Sequence, residues 1–184
     1  MKNIRKFLLI IFLFINFYSC KNKISHEEAL KYYVTIQLQT KEVSNLVKEF
    51  SPTLSRFIRE SASSKKNIKV DEIDSFKNSY SKLIQQIDER LLILNEMKGF
   101  EKEILMRSMA INYIKDTCRI LSDVMSIIDT GKNVGFKQKV INRENFRVYK
   151  MELVFDDSRY KIFSEAFRKK YNISNFELSK YALQ

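Results

Sequence analysis

Few residues in this chain can move a proton or hold a metal near neutral pH. His26 is the one histidine among 184 residues, and Cys20 and Cys118 are the two cysteines. His26 falls inside Ser25-His26-Glu27-Glu28, an S-x-x-E pattern of the kind that caps a helix, and so reads as a solvent-exposed residue of a first turn. Ser-His-Asp, Cys-His, His-rich zinc and Glu-x-x-His di-iron sites therefore lack their parts. Neither a G-x-x-x-x-G-K-[ST] loop nor a G-x-G-x-x-G turn occurs, and three glycines are too few to build one. No metal and no cofactor is expected.

Carboxylates cluster at Glu27-Glu28, Asp71-Glu72-Asp74, Glu101/Glu103 and Asp156-Asp157. A pair of acids could serve glycoside hydrolysis. Each cluster, however, lies in the first turn of an expected helix, where negative charge complements the helix dipole. Capping accounts for all of them, and the chain reads as non-enzymatic. Cys118, between Ile114 and Leu121 on a helical apolar face, reads as a small core hydrophobe; the other uses open to it are an intermolecular disulfide or redox sensing.

Basic residues are spread less evenly. The chain carries 33 Lys and Arg against 22 Asp and Glu, a formal charge of +11. Residues 51–70 hold Arg56, Arg59, Lys65, Lys66 and Lys69 against Glu60 alone. A second basic stretch ends in Arg168-Lys169-Lys170. These are the candidate contacts for an anionic polysaccharide, anionic lipid or an acidic protein partner. A solvated, lysine-rich surface with no ligand explains the same charges.

The elements that must position these residues are long amphipathic helices. Ala29, Tyr32, Ile36, Gln39, Val43, Leu46 and Phe50 recur at 3-4 spacing and predict a helix over 26–50. Ser51-Pro52 offers an N-cap and an N1 proline for 52–62, as a separate helix or as a kinked continuation. The stretch SASSKKN, 61–67, reads as a loop. Asp71 and Asp74 open a helix to about residue 97. Its face is Ile73, Phe76, Tyr80, Leu83, Ile87, Leu91 and Leu94, and Gly99 stands as its stop.

The same spacing predicts a helix over 100–129 with Ile104, Ile111, Ile114, Cys118, Leu121, Met125 and Ile128 inward, ended by Gly131. A helix over 158–171 turns Tyr160, Phe163, Phe167 and Tyr171 inward, and Ser174-Asn175-Phe176-Glu177 caps a short last helix that docks the C-terminus. Residues 134–155 alternate like a small β-hairpin yet also suit a helix, so both stay open there. No helix of this kind can bury its apolar face alone. The expected fold is all-α, an antiparallel bundle of four to six helices forming one domain over 26–184.

The N-terminus is of another kind. Lys2, Arg5 and Lys6 precede Phe7–Tyr18, an apolar run broken only by Asn16. As a helix it would be about 18 Å long, well short of a bilayer's hydrocarbon core of about 30 Å. A charged segment, a short apolar segment and a small residue read as an export signal over 1–19. Phe17-Tyr18-Ser19-Cys20 resembles the lipobox of bacterial lipoproteins, in the relaxed form found in spirochaetes. Ser19 matches the small residue before the cleavage point, while Phe17 stands where leucine is usual. The resemblance implies that Cys20 becomes the acylated first residue of the mature protein, carrying palmitate-type chains into membrane lipid. Plain secretion and an uncleaved anchor are the alternatives.

Residues 20–25 would then be a lipidated tether reaching under roughly 18 Å when extended. Processing removes three positive charges from +11 and leaves +8. The chain is also broadly similar to small helical surface lipoproteins of spirochaetes in leader, size and basic character. These readings imply a binding protein of the cell envelope, at the outer membrane rather than the inner, with a surface-exposed form touching a host or anionic ligand as the leading version. The alternative is a periplasm-facing accessory subunit of an envelope assembly. Nucleic acid is not an expected partner of a protein held there.

Overall fold

Ser25 opens the first helix as its S-x-x-E pattern predicts. Its N–H and Oγ–H both donate to Glu28 Oε2, at 2.9 and 2.8 Å, while the Glu28 N–H donates to Ser25 Oγ at 3.2 Å. Two backbone donors that a helix start leaves unpaired are thereby satisfied reciprocally. The computed structural model describes residues 24–62, 70–100, 105–130 and 158–183. The 134–155 segment, the acids at 101–103 and 156–157, the N-terminal leader and Gly131 lie outside these residues.

Among the described residues there are five helices and no strand, packed as an all-α bundle. They are α1 (His26–Ala62), α2 (Val70–Glu96), α3 (Met106–Thr130), α4 (158–170) and α5 (Asn175–Ser179). α1 runs through Pro52 as one helix of 37 residues, so of the two arrangements open at Ser51-Pro52 the continuous one is found. Proline removes one intrahelical donor, leaving the Lys48 carbonyl without that bond. Lys48, Ser51, Pro52 and Ser55 all lie on the exposed side, where water can take the lost bond. Phe50, Leu54 and Phe57 carry the buried stripe across the proline unchanged.

The late half of α1 packs on the early half of α2. Phe76 is 4.2 Å from Phe57 and 5.6 Å from Phe50, measured between ring centroids. Phe100, just past the end of α2, meets Tyr32 near the start of α1 at 5.2 Å. The two helices are therefore antiparallel. α3 turns back again, since Arg107 near its start reaches Met97 and Ser122 further along hydrogen-bonds Tyr80.

The 2-to-3 connection departs from the predicted one. α2 ends at Glu96, before Gly99, and no glycine among the described residues takes a left-handed conformation. The Arg107 Nη1 donates to the Met97 carbonyl instead, so a cation rather than a glycine finishes the helix. Gly99 serves by its size: a Cβ there would come within 3.2 Å of the Arg107 guanidinium. α3 then begins at Met106, not at residue 100, with Phe100 and Leu105 non-helical. Its inward face is broader than predicted. Met106, Ala110, Tyr113, Ile114, Thr117 and Leu121 are buried, while Ile111 and Cys118 are half-buried. The widening follows from α4, whose Tyr160 stacks on Tyr113 at 6.3 Å.

α4 covers the early half of α1 from the side α2 leaves open. Phe167 packs at 5.4 Å from Tyr32 and 6.3 Å from Tyr33, and the Tyr160 hydroxyl lies 3.1 Å from Thr40 Oγ1. α4 ends in a Schellman turn: Ile173 N–H bonds the Arg168 carbonyl at 3.0 Å and Asn172 N–H the Lys169 carbonyl at 3.3 Å. Asn172 takes the left-handed conformation this needs (φ 53°), and Ile173 is buried. Ser174 and Glu177 then form the predicted capping box of α5, and Leu178 is buried, docking the C-terminal segment.

Phe76, 3% exposed between two other rings, is the joint of the α1–α2 pair. Phe76→Ala should cost about 3–5 kcal/mol of unfolding free energy, the usual range for emptying a buried phenylalanine site. Urea unfolding followed by circular dichroism measures this; a change below 1 kcal/mol (about a fivefold shift in equilibrium) would mean the ring is not packed as described.

Candidate functional site

Two capping boxes, one at each end of the described chain, meet at the start of α1. His26 projects from the first turn of α1 toward the α4–α5 corner. Its Nδ1 lies 2.9 Å from the Tyr171 carbonyl and its Nε2 lies 2.6 Å from Glu177 Oε1. A carbonyl can only accept, so Nδ1 carries a proton. An ionised carboxylate can only accept as well, so Nε2 carries one too. The geometry is that of an imidazolium held between two acceptors, although the His26 side chain is still 49% exposed.

Glu177 is shared. Oε1 faces His26, while Oε2 accepts from the Ser174 N–H at 2.8 Å and the Ser174 Oγ–H at 2.7 Å. The hydrogen bond from His26, then those from Ser174, hold this carboxyl down at about 2. In return the Glu177 carboxylate, followed by the Tyr171 carbonyl, holds the His26 imidazolium above its ordinary range. Glu28 is lowered by the Ser25 backbone and hydroxyl in the same manner.

Further polar contacts fasten the same segment. Lys41 Nζ donates to the Ala182 carbonyl at 2.6 Å. Arg168 Nε donates to the Ile173 carbonyl at 3.0 Å, and its Nη2 to Asn175 Oδ1 at 2.7 Å. Beneath them Gln37 donates to Ser164 Oγ, which donates to the Tyr33 hydroxyl at 3.2 Å. These contacts order the junction of α1 with the C-terminal segment. None aligns a nucleophile with a base.

Among the described residues, Arg56 and the Arg168-Lys169-Lys170 run are not brought together. Cys20, Lys65, Lys66 and Lys69 lie outside the described residues, as does the side chain of Arg59. Arg56 is exposed late in α1 and lines a cleft of about 370 Å³ with Asp71 and Glu72, so its surroundings are of mixed charge. Arg168 spends its donors on the α4–α5 corner, Lys170 lies 5.6 Å from the centre of the Tyr171 ring, and Lys169 is exposed. Phe57 and Tyr33 mark the two ends on α1, 24 residues or about 36 Å apart at helical rise.

Cys118 fits its reading as a packing residue. Burial first, and the Asp88 charge second, push its thiol up to about 11, which leaves little nucleophilic thiolate. An open trough of about 660 Å³ runs along Tyr80, Ile84, Asp88 and Leu92. Its lining comes wholly from α2, whereas small-molecule sites are enclosed by several elements. Among the described residues no three His, Cys, Asp or Glu side chains converge as a metal would require, and no helix is long and apolar enough to cross a membrane. No protein-family model matches this chain, and comparison with curated proteins and with solved structures gives no match.

Sequence reasoning finds both boxes but not their meeting. His26 and Glu177 are 151 positions apart, and no local pattern pairs them. The available signal is chemical: a lone histidine inside one capping box, with a second box elsewhere to supply its counter-charge.

The junction has a defined pH window. Because His26 is raised on folding, its contribution is complete below the unfolded value of 6.5 and is lost as pH rises through the raised value. Because Glu177 is depressed, its contribution is complete above 4.5 and is lost as pH falls toward about 2. Stability from the pair should therefore peak between these limits. With one histidine in the chain, an NMR titration reads it directly: the midpoint should lie above 6.5 and fall toward the ordinary value in Glu177→Gln. A midpoint at or below the ordinary value would contradict the described geometry.

Proposed function

We propose that this chain is a lipid-anchored, non-enzymatic binding protein of the bacterial envelope, its helical bundle held against the membrane that carries Cys20. The observation that supports it best is the position of the first described helix. α1 is capped at Ser25 and fastened at His26, so only residues 21–24 separate a lipobox cysteine from an anchored helix. A module with so little slack works at the membrane surface and cannot reach far from it. More than one acyl chain makes such attachment stable, whereas a single chain is marginal.

The proposed location is the outer membrane, with the bundle facing outward toward a protein or an anionic polysaccharide. The cations offered to such a ligand are Lys65, Lys66 and Lys69, with Arg56 before them in the chain, next to Asp71 and Glu72. A second reading, a periplasm-facing accessory subunit of an envelope assembly, draws on the same short tether, which suits a fixed neighbour better than a distant ligand.

Metabolic labelling and protease treatment of intact cells separate these. The wild-type chain should take up palmitate and Cys20→Ala should not; label on the variant would overturn the anchor. Protease added outside should degrade the protein if it faces outward, and protection would transfer the reading to the periplasmic face.

A further inference from the structure

The start of α1 shares its end of the bundle with the α4–α5 corner and with the chain just past α2. That end exposes apolar surface. Phe176, next to the clamped Glu177, is 75% exposed, and Phe100 and Leu105 are exposed as well. A ring so open in water gains nothing from the fold around it. Lys180, one turn later, sets its ammonium 5.1 Å from the Phe176 ring centre.

Cations outnumber acids at this end. Lys31, Lys98, Lys169, Lys170 and Lys180 are exposed there, against Glu27, Glu28 and Glu96. Glu28 is occupied by the Ser25 cap, and Glu177 by His26 and Ser174. The positive excess at this end favours an anionic partner. What the surface offers is an apolar ring with a cation beside it, the pairing that suits the boundary between acyl chains and headgroups.

We propose that this end of the bundle docks on the bilayer, with Phe176 seated at headgroup depth and Lys180 against the phosphate of an anionic lipid. The inference rests on the lipid-anchor reading, because a tether of under roughly 18 Å is what brings this end to the membrane. Docking would fix the tilt of the bundle and so decide which flank faces away from the bilayer.

The chain contains no tryptophan, so one introduced residue reports its own surroundings. Phe176→Trp and, as a control, Ile162→Trp, 67% exposed on α4 well before the corner, are compared in the full-length acylated protein. Each is reconstituted into phosphatidylglycerol–phosphatidylcholine vesicles carrying lipid brominated near the headgroup. The Phe176→Trp emission should shift to the blue and lose most of its intensity, while the Ile162→Trp emission keeps its own. Palmitate-labelled protein that floats with the vesicles but leaves the Phe176→Trp variant unquenched overturns the docking and spares the anchor. A chain that takes no palmitate and does not float removes the anchor, and the docking falls with it. Equal quenching in vesicles of phosphatidylcholine alone overturns the role given to Lys180 and anionic lipid.

Discussion

α1 carries more apolar surface than any single neighbour can cover, and the arrangement of the bundle answers that constraint. Tyr32, Tyr33, Val34 and Ile36 are all buried in its first half, which requires neighbours on more than one side. Its late half needs only the stripe of Phe50, Leu54 and Phe57 against α2. The early half is wrapped by α4 and by the segment that follows it. Each large apolar side chain buried contributes about 1.5–3 kcal/mol, so this wrapping outweighs the polar contacts at its edge. An exposed ion pair such as His26–Glu177 adds little to total stability beside it. What the pair supplies is position: it fixes where the C-terminal segment lies relative to the start of α1.

That division explains what the sequence makes legible. Helix type, the antiparallel arrangement and both S-x-x-E boxes follow from local spacing and capping chemistry, which act within a few residues. The stripe of α1 reads correctly for Ala29, Tyr32, Ile36, Val43 and Phe50. Burial of Tyr33, Thr40 and Ser164 does not, because these polar side chains flank the apolar stripes and are covered only where α1 meets α4, Thr40 against Tyr160 and Ser164 against Tyr33. Pro52 reads equally as a start or an interruption, and apolar contacts on both sides of it settle the helix as continuous. Gly99 reads as a stop by its type, whereas an arginine from the next helix closes α2.

The candidate site was less legible for the same reason. Charge runs in the sequence suggest patches at 56–69 and 168–170, but folding ties Arg168 inward and sets Arg56 among acids. His26, by contrast, looks like an idle first-turn residue and turns out to join the two ends of the domain. Long-range pairing between two local motifs cannot be read from either alone. The proposed function draws on that junction together with the sequence, in which Cys20 precedes the capped and fastened helix start by a few residues.

The start of α1 and the α4–α5 corner thus form one unit held by His26. Hydrogen exchange in His26→Gln, at a pH between the two titrations, probes that unit without disturbing the core. Exchange of the Ile173 and Leu178 amides, whose acceptors lie at this corner, should become faster, with protection kept around Phe76 and Ile87. Unchanged exchange at Ile173 and Leu178, or an equal loss throughout the bundle, would contradict it.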